Sequence, residues 1–470
     1  MKKLYLLIAT FLFFNFSEAQ DGSIDTSFDT GTGFNSFIST VTILDDDKIY
    51  VGGNFTNFNG TQANFIARLN SDGTLDASFT PASNNNDYFK IIPDGNNKIL
   101  VGGFFTTYDN TSASMIVRLN NNGSLDSSFN SENGANFSVQ DIVVQENNKI
   151  VIGGVFTSYN NSTANRIARL NSDGSLDLSF NSGNGFDFNN SSANFDTFLQ
   201  FIEPQNDGKL IAGGKFSNYN GSSINNLVRL NSDGSLDSSF DIGTGFNDSV
   251  FAAATQDDGK IVVAGDFTSF NGTSVNRIVR LNSDGSLDSS FNIQSGFNNS
   301  VFNIAIQSDG KVVAGGNFTQ FNGAIANYIT RLNIDGSIDT TFNIGSGPDS
   351  RVNDLGIQSD SKIILVGDFN NYNGSQNNKI ARLNVDSTLY LDDTINQKQF
   401  YLFPNPAKGQ FTIQSNNTSD IYNICIYNNL GQFVLSSKQT VINTSELTSG
   451  IYIVEILTLK GKVMKKLLIE

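Results

Sequence analysis

The tripeptide Arg-Leu-Asn begins at Arg68, Arg118, Arg169, Arg229, Arg280, Arg331 and Arg382, in steps of 50, 51, 60, 51, 51 and 51 residues. A period this long and regular leaves few folds open. Each copy must be one supersecondary unit that buries its apolar face against the next copy. Residues 229–240 and 280–291 share all twelve letters, RLNSDGSLDSSF, so the units are near-identical in shape.

The sixth copy shows what the unit contains. SVFNIAIQ (300–307) alternates apolar and polar residues, KVVAGGNF (311–318) is β-rich, and YITRLN (328–333) and SIDTTF (337–342) follow, with Asp-Gly turns between segments. Asp-Gly between apolar runs is a hairpin signal. No 3.6-residue period appears, so the fold class is all-β. Four short strands in about 50 residues describe a propeller blade, and seven copies predict a seven-bladed β-propeller. The motif S-[LI]-D-x-[ST]-F follows the first six copies, with Thr74 once replacing Ser, and fails after Arg382. Its seventh occurrence is SIDTSF (23–28). The expected ring clasp is therefore this N-terminal segment, supplying the outer strand of the last blade and leaving no open edge. STLYL (387–391) is the competing candidate.

The charges obey the same period. Seven of the 21 basic residues between 20 and 400 are the Arg-Leu-Asn arginines, and seven more are Lys48, Lys98, Lys149, Lys209, Lys260, Lys311 and Lys362. Each arginine has a carboxylate in phase: Asp76, Asp126, Asp177, Asp237, Asp288, Asp339 and, through the clasp, Asp25. The guanidinium fork suits a carboxylate, so seven structural Arg–Asp pairs are expected. The N-x-D-G-x-x-D turns invite calcium, but they lack the spacing and bidentate Glu of a calcium loop. Plain hairpin turns are expected and no cofactor is assigned, calcium being the one ion the turn oxygens suggest. Repeated aromatic pairs such as Phe55 and Phe58, or Phe216 and Tyr219, read as core.

The break in the repeat carries nine extra residues within GFDFNNSSANFDTF (185–198). Phe186, Asp187, Phe188, Phe195 and Asp196 have no evident duty in the repeat and form the candidate ligand loop. The competing reading is a tolerated surface insertion.

The chain has no His and one Cys, Cys425, so a Ser-His-Asp triad and an internal disulfide are both excluded. The net charge is −16; residues 1–19 carry +1 and residues 401–470 carry +2, leaving −19 between them. Such a surface repels nucleic acid. Residues 1–19 begin with Lys2 and Lys3, continue through an apolar run and end in Ser17-Glu18-Ala19, the pattern of a cleaved signal peptide. No later segment is long and apolar enough to span a membrane.

The motifs DGK-[IV]-x-V-x-G-x-F and RLNxDGSLDxxF, over residues 21 to about 391, resemble the delta-60 family of bacterial propeller repeats. That resemblance implies a secreted propeller and no particular activity. After a linker (392–400), residues 401–470 change composition into short β-rich runs that read as a small Ig-like sandwich. This segment resembles the C-terminal sorting domain of the type IX (Por) secretion system of Bacteroidetes. The resemblance rests on Phe403-Pro404-Asn405-Pro406, Leu430-Gly431, Leu447, Ser449-Gly450-Ile451-Tyr452 and Lys465-Lys466-Leu467. It implies handling by the type IX machinery and release or attachment at the cell surface. The expectation is an exported, monomeric, non-catalytic propeller (20–391) binding an extracellular polysaccharide or protein. A carboxylate-based glycan hydrolase or lyase and a purely structural spacer are the alternatives.

Overall fold

The computed structural model describes residues 20–82, 87–130, 133–187, 197–385, 400–415, 421–428, 433–445, 447–458 and 461–469. The leader, STLYL, all of the linker but Phe400, Leu430-Gly431, and Phe188, Phe195 and Asp196 of the candidate loop lie outside the described residues. The chain divides into two compact units, 1–386 and 387–470. Among the described residues every regular element is a strand, and no helix is long and apolar enough to cross a membrane.

The first unit is a ring of seven antiparallel three-stranded sheets. Blade 1 consists of Ile38–Ile43, Ile49–Gly53 and Ile66–Leu69, from the axis outward. The other six inner strands are Asp87–Pro93, Val139–Val144, Phe198–Pro204, Val250–Thr255, Val301–Ile306 and Val352–Ile357. Each packs on the next, and Val352–Ile357 packs back on Ile38–Ile43, which closes the circle. The core lies between blades, where Ile364 and Val366 of blade 7 join Val51, Phe55 and Phe58 of blade 1 in one cluster.

The fourth strand of the unit is not a strand. It shrinks to one bridge per blade, such as Leu69 to Leu75. Asp76 N still bonds Arg68 O at 2.9 Å, but Asp76 Oδ1 then accepts Ser78 N at 3.0 Å and bends the chain away. An Asp side chain that captures a nearby backbone amide competes with a ladder. A two-residue hairpin stands instead between the middle and outer strands, as at Asn57–Phe58 with Thr61–Gln62. Its turn has two positive φ values, Asn59 at 46° and Gly60 at 79°, whereas in the turn at Asp72-Gly73 only Gly73 is positive, at 92°. The two-residue type I′ hairpins of this fold are thus these turns, Asn-Gly in five blades, Asp109-Asn110 in blade 2 and Asn160-Asn161 in blade 3, and not the Asp-Gly turns.

Inner strands carry a bulge opposite the last glycine of the middle strand, as between Val139 and Asp141. There a Cβ on Gly154 would lie 2.1 Å from Ser138 O, so the position accepts no side chain.

At the other end of the circle Ile24 bridges Leu383, Gly22 N bonds Asn384 O at 2.8 Å and Asp25 N bonds Arg382 O at 2.8 Å. Gln20-Asp21-Gly22 thereby completes in two pieces the turn that blade 1 makes in one at Ser71-Asp72-Gly73.

In the second unit Phe400–Lys408 pairs with Gln410–Ser415 through Phe403, and through Ala407 with Ile469. The pairing with Gln410–Ser415 breaks across Pro404-Asn405-Pro406, where two residues lack an N–H for the ladder, and resumes at Lys408 with Gln410. Its first residue is Phe400, which belongs to this unit and not to the linker. Phe411, Ile424, Val454 and Leu467 centre the core.

Candidate functional site

The repeated charges build seven equal nodes. Arg68, Arg118, Arg169, Arg229, Arg280, Arg331 and Arg382 place Nε at 2.6–2.8 Å from Oδ2 of Asp76, Asp126, Asp177, Asp237, Asp288, Asp339 and Asp25. The repeated lysine reaches the same oxygen, Lys48 to Asp76 at 2.9 Å and Lys362 to Asp25 at 2.9 Å. The guanidinium lies over the motif phenylalanine, Arg229 over Phe240 at 4.7 Å. Its other arm crosses to the next blade, Arg229 Nη1 to Ser283 O at 2.6 Å. In blade 6, Asp21 of the clasp takes the place of that turn and pairs with Arg331. Burial alone would raise the pKa of Asp76. Hydrogen bonds from Ser78 and Lys48, with the Arg68 charge, hold it far below the carboxylate range. Asp339 is held at about 2 in the same way, by Thr341, Lys311 and Arg331 against its burial. These groups are engaged within each blade and with the next one, so they offer a ligand nothing.

The Asp-Gly turns are equally self-sufficient. Asp233 Oδ1 accepts Ser235 N at 2.9 Å and Ser235 Oγ at 2.6 Å. Among the described residues no three His, Cys, Asp or Glu side chains are grouped to hold a metal ion.

The candidate ligand loop needs correcting. Phe186 is fully buried and sits 4.6 Å from both Phe216 and Tyr219. It is the counterpart of Phe34, Phe246 and Phe297, which pack identically in their blades. Asp187 accepts Asn218 Nδ2 at 2.9 Å, at the position where Asn247 serves blade 5. Both residues therefore have a duty in the repeat, visible in the preceding glycine of GTGF, GNGF and QSGF. The extra residues are 188–196.

Non-repeat chemistry collects on the inner strands instead. The first paired residue after the bulge is Thr40, Lys90, Asp141, Asn303 or Asp354 in five blades, and Phe201 or Ala252 in the other two. Lys90 Nζ lies 3.0 Å from Asp141 Oδ1, with 36% of its side chain exposed. The charges of Asp354 and Glu203 also act on Lys90. Blades 7 and 4 do not flank blade 2, so these charges act on Lys90 across the ring and not through a neighbouring blade. Asp354 is fixed by Val41 N at 2.8 Å and Leu355 N at 2.9 Å, with Asn303 Nδ2 on the same carboxylate. Asp141 accepts Ile202 N at 2.6 Å, so both aspartates tie their strand to the next blade.

Burial raises Glu203 to about 7, against a long bond from Thr255 N and the Lys90 charge. Burial likewise raises Asp354 to about 6. Burial works against the Lys90 ammonium, but Asp141 overrides it and raises the pKa. At neutral pH the channel thus holds the Lys90 ammonium, an ionised Asp354 and, in Glu203, a carboxyl near its midpoint. One residue nearer the mouth, at the bulge, stand Phe89, Gln140, Gln200, Phe251, Phe302 and Asn353, and the Phe251 and Phe302 rings lie 5.9 Å apart. On the same rim Phe104, which is 45% exposed, meets Phe137 at 5.2 Å. Each of these residues reads in the sequence as one polar or aromatic letter of an alternating strand. The signal that could have found them is the variability of a fixed position among otherwise near-identical copies.

A groove beside the hairpins of blades 5 and 6, lined by Asn276, Arg277, Asn298 and Gln320, contains none of these charges. Its amides bond the backbone, as Asn276 Nδ2 to Ser295 O at 2.7 Å.

The family described as "Domain of unknown function (DUF5122) beta-propeller" matches residues 44–79, 95–129, 145–180, 205–240, 256–291, 307–342 and 358–389. The chain belongs to the DUF5122 β-propeller family. Residues 401–470 match the "Secretion system C-terminal sorting domain". A DUF5122 propeller with this tail is a secreted or outer-surface protein handled by the type IX machinery. In the tail Asn405 Nδ2 bonds Lys466 O at 2.7 Å and Leu468 N bonds Asn405 Oδ1 at 2.9 Å. Tyr452 is buried with its hydroxyl on Thr448 O at 2.9 Å, Gly450 pairs with Ile469, and Lys465 and Lys466 lie on the last strand.

Similar solved structures include the WD40 β-propeller domain of Doa1, at 13% identity, covering 79% of this chain and 99% of that one, with TM-score 0.46. Another is the extracellular domain of a protein described as a hybrid two-component system from B. thetaiotaomicron, at 14% identity and TM-score 0.47, covering 93% of this chain and 55% of that one. A gluconolactonase from Xanthomonas campestris is similar at 11% identity and TM-score 0.36, covering 75% of this chain and 96% of that one. No curated protein matches the chain.

Proposed function

We propose that this DUF5122 propeller is a non-catalytic recognition module, carried to the cell surface or beyond, which takes its ligand at the mouth of its central channel. One observation carries the reading. Seven near-identical blades carry different chemistry at the inner-strand positions holding Lys90, Asp141, Glu203 and Asp354, and a spacer has no use for that asymmetry. The exposed aromatics Phe104 and Phe37 on the same rim support it, since exposed aromatic side chains are typical of recognition surfaces. The carboxylates favour binding over catalysis, because Asp141 and Asp354 are engaged by backbone amides of the next blade.

The test is saturable binding of the labelled leader-free chain to cells and extracellular matrix of the producing culture. Lys90→Met is compared at equal folding. Saturable binding weakened by Lys90→Met is expected. Binding unchanged in that variant would remove the channel from the reading, and no saturable binding would restore the spacer.

A further inference from the structure

Resting on that reading, we infer that the channel mouth receives a neutral sugar chain, whose ring stacks on the Phe251–Phe302 pair while its hydroxyls reach Lys90 and Asp354 and, two residues deeper along its strand, Glu203.

The propeller carries −19 between residues 20 and 400, and the channel adds three carboxyl groups to one ammonium. A polyanion would meet this field at every approach. A plain cation would meet Lys90, whose ammonium is held by Asp141 at 3.0 Å. An apolar ligand would strip water from charged groups without replacing their hydrogen bonds. A neutral polyhydroxylated ligand avoids all three costs.

The groups present then match it. A hydroxyl both donates and accepts. Lys90 supplies N–H donors, Asp354 supplies carboxylate oxygen, and Glu203, with its pKa near neutrality, offers either. Successive sugar hydroxyls need such a mixture of donors and acceptors, here spread over two successive positions of the inner strands. Phe251 and Phe302 present tilted rings, 59° apart, at the bulge residues of neighbouring blades. A bulge turns an extra side chain out of the ladder, and both phenylalanines sit one residue nearer the start of their strands than the charged position. Apolar ring faces suit the C–H face of a pyranose. The amides of Gln140 and Gln200 hold the same bulge position in blades 3 and 4.

The experiment uses the leader-free chain, residues 20–470. It is titrated by calorimetry with neutral gluco-, manno-, galacto- and xylo-hexaoses, with a polyuronate and a sulfated hexaose, and with spermidine. The expected result is binding of at least one neutral hexaose and of neither anionic sugar. That binding weakens roughly tenfold or more in Lys90→Gln and in Phe302→Ala. Phe302→Leu and Lys90→Arg serve as milder variants if either change lowers the melting temperature. Spermidine or an anionic sugar binding in place of the hexaoses, with dependence on Lys90, would overturn the ligand class and leave the recognition module standing. Hexaose binding indifferent to both positions would overturn the site. No binding by any probe, together with no saturable binding to cells or matrix, would overturn both.

Discussion

Arg382 Nε and Asp25 Oδ2 lie 2.8 Å apart although 357 residues separate them. This ion pair, with Lys362 on the same oxygen at 2.9 Å, is the charged part of the seam that closes the ring. Both side chains are over nine-tenths buried. Removing one partner of a buried pair costs about 3–5 kcal/mol. Asp25→Ala is expected to lower the free energy of unfolding by that amount in urea melts. Asp288→Ala, at the equivalent node inside a continuous blade, gives the comparison. Deleting residues 20–28 is expected to cost more than either change, because the turn at Asn384 and the Arg331–Asp21 contact go with it. A deletion variant as stable as the parent would show that another segment fills the place.

The titrating groups push stability in opposite directions across the pH scale. Asp76, Asp126 and their counterparts have folded pKa values below the unfolded 3.8, so their contribution is present above that pH and lost as pH falls through the folded values. Glu203 and Asp354 have folded pKa values of about 7 and about 6, above unfolded values of 4.5 and 3.8. Their contribution is present at low pH and lost as pH rises through 6 and 7. The melting temperature is therefore expected to fall steeply below about pH 4 and gently between about pH 5 and 8. Glu203→Gln is expected to flatten the upper decline and leave the acid limb unchanged, as scanning calorimetry in buffers across this range would reveal.

Gly154→Ala tests the bulge. A Cβ there meets Ser138 O at 2.1 Å, while one on Gly323 meets nothing within 4 Å. Overpacking of this kind costs about 1–3 kcal/mol. Gly323→Ala pays only for its positive φ, 77°, about 1 kcal/mol. Chemical denaturation of the two variants side by side is expected to rank Gly154→Ala as the worse.

The extra residues and the core residue before them should separate cleanly. Deleting residues 188–196 while keeping Phe186 and Asp187 restores the 51-residue step and is expected to leave the urea midpoint nearly unchanged. Phe186→Ala, emptying a fully buried position beside Phe216 and Tyr219, is expected to cost about 3–5 kcal/mol.

Removing residues 401–470 is expected to keep the propeller inside the cell envelope of the producing bacterium. Fractionation with an antibody to the propeller reads this directly. Appearance in the medium at the normal level would show that the tail match does not govern export.

The seven blades, their all-β class and the family motifs were legible in the chain because covalent order repeats. A period of about 51 residues, broken once, needs no knowledge of contacts, and the stray SIDTSF at the start indicates where the circle closes. The partners of the repeated charges could be paired by phase alone, since each Arg meets an Asp eight positions on, or across the clasp. The shared lysine was visible as a position but not as the second cation on that oxygen. Local competition for amides was hidden too: whether TLDASF runs as a strand or turns at Asp76 depends on where one side-chain oxygen finds its donor. Phe186 looked like part of an insertion because the break was located only to a fourteen-residue window. The channel charges lay beyond any reading of order. Lys90, Glu203 and Asp354 sit in blades 2, 4 and 7, and ring closure alone brings their fields together across the axis. Sequence spacing reports neighbours along a strand, whereas a closed ring creates neighbours across water that no period encodes.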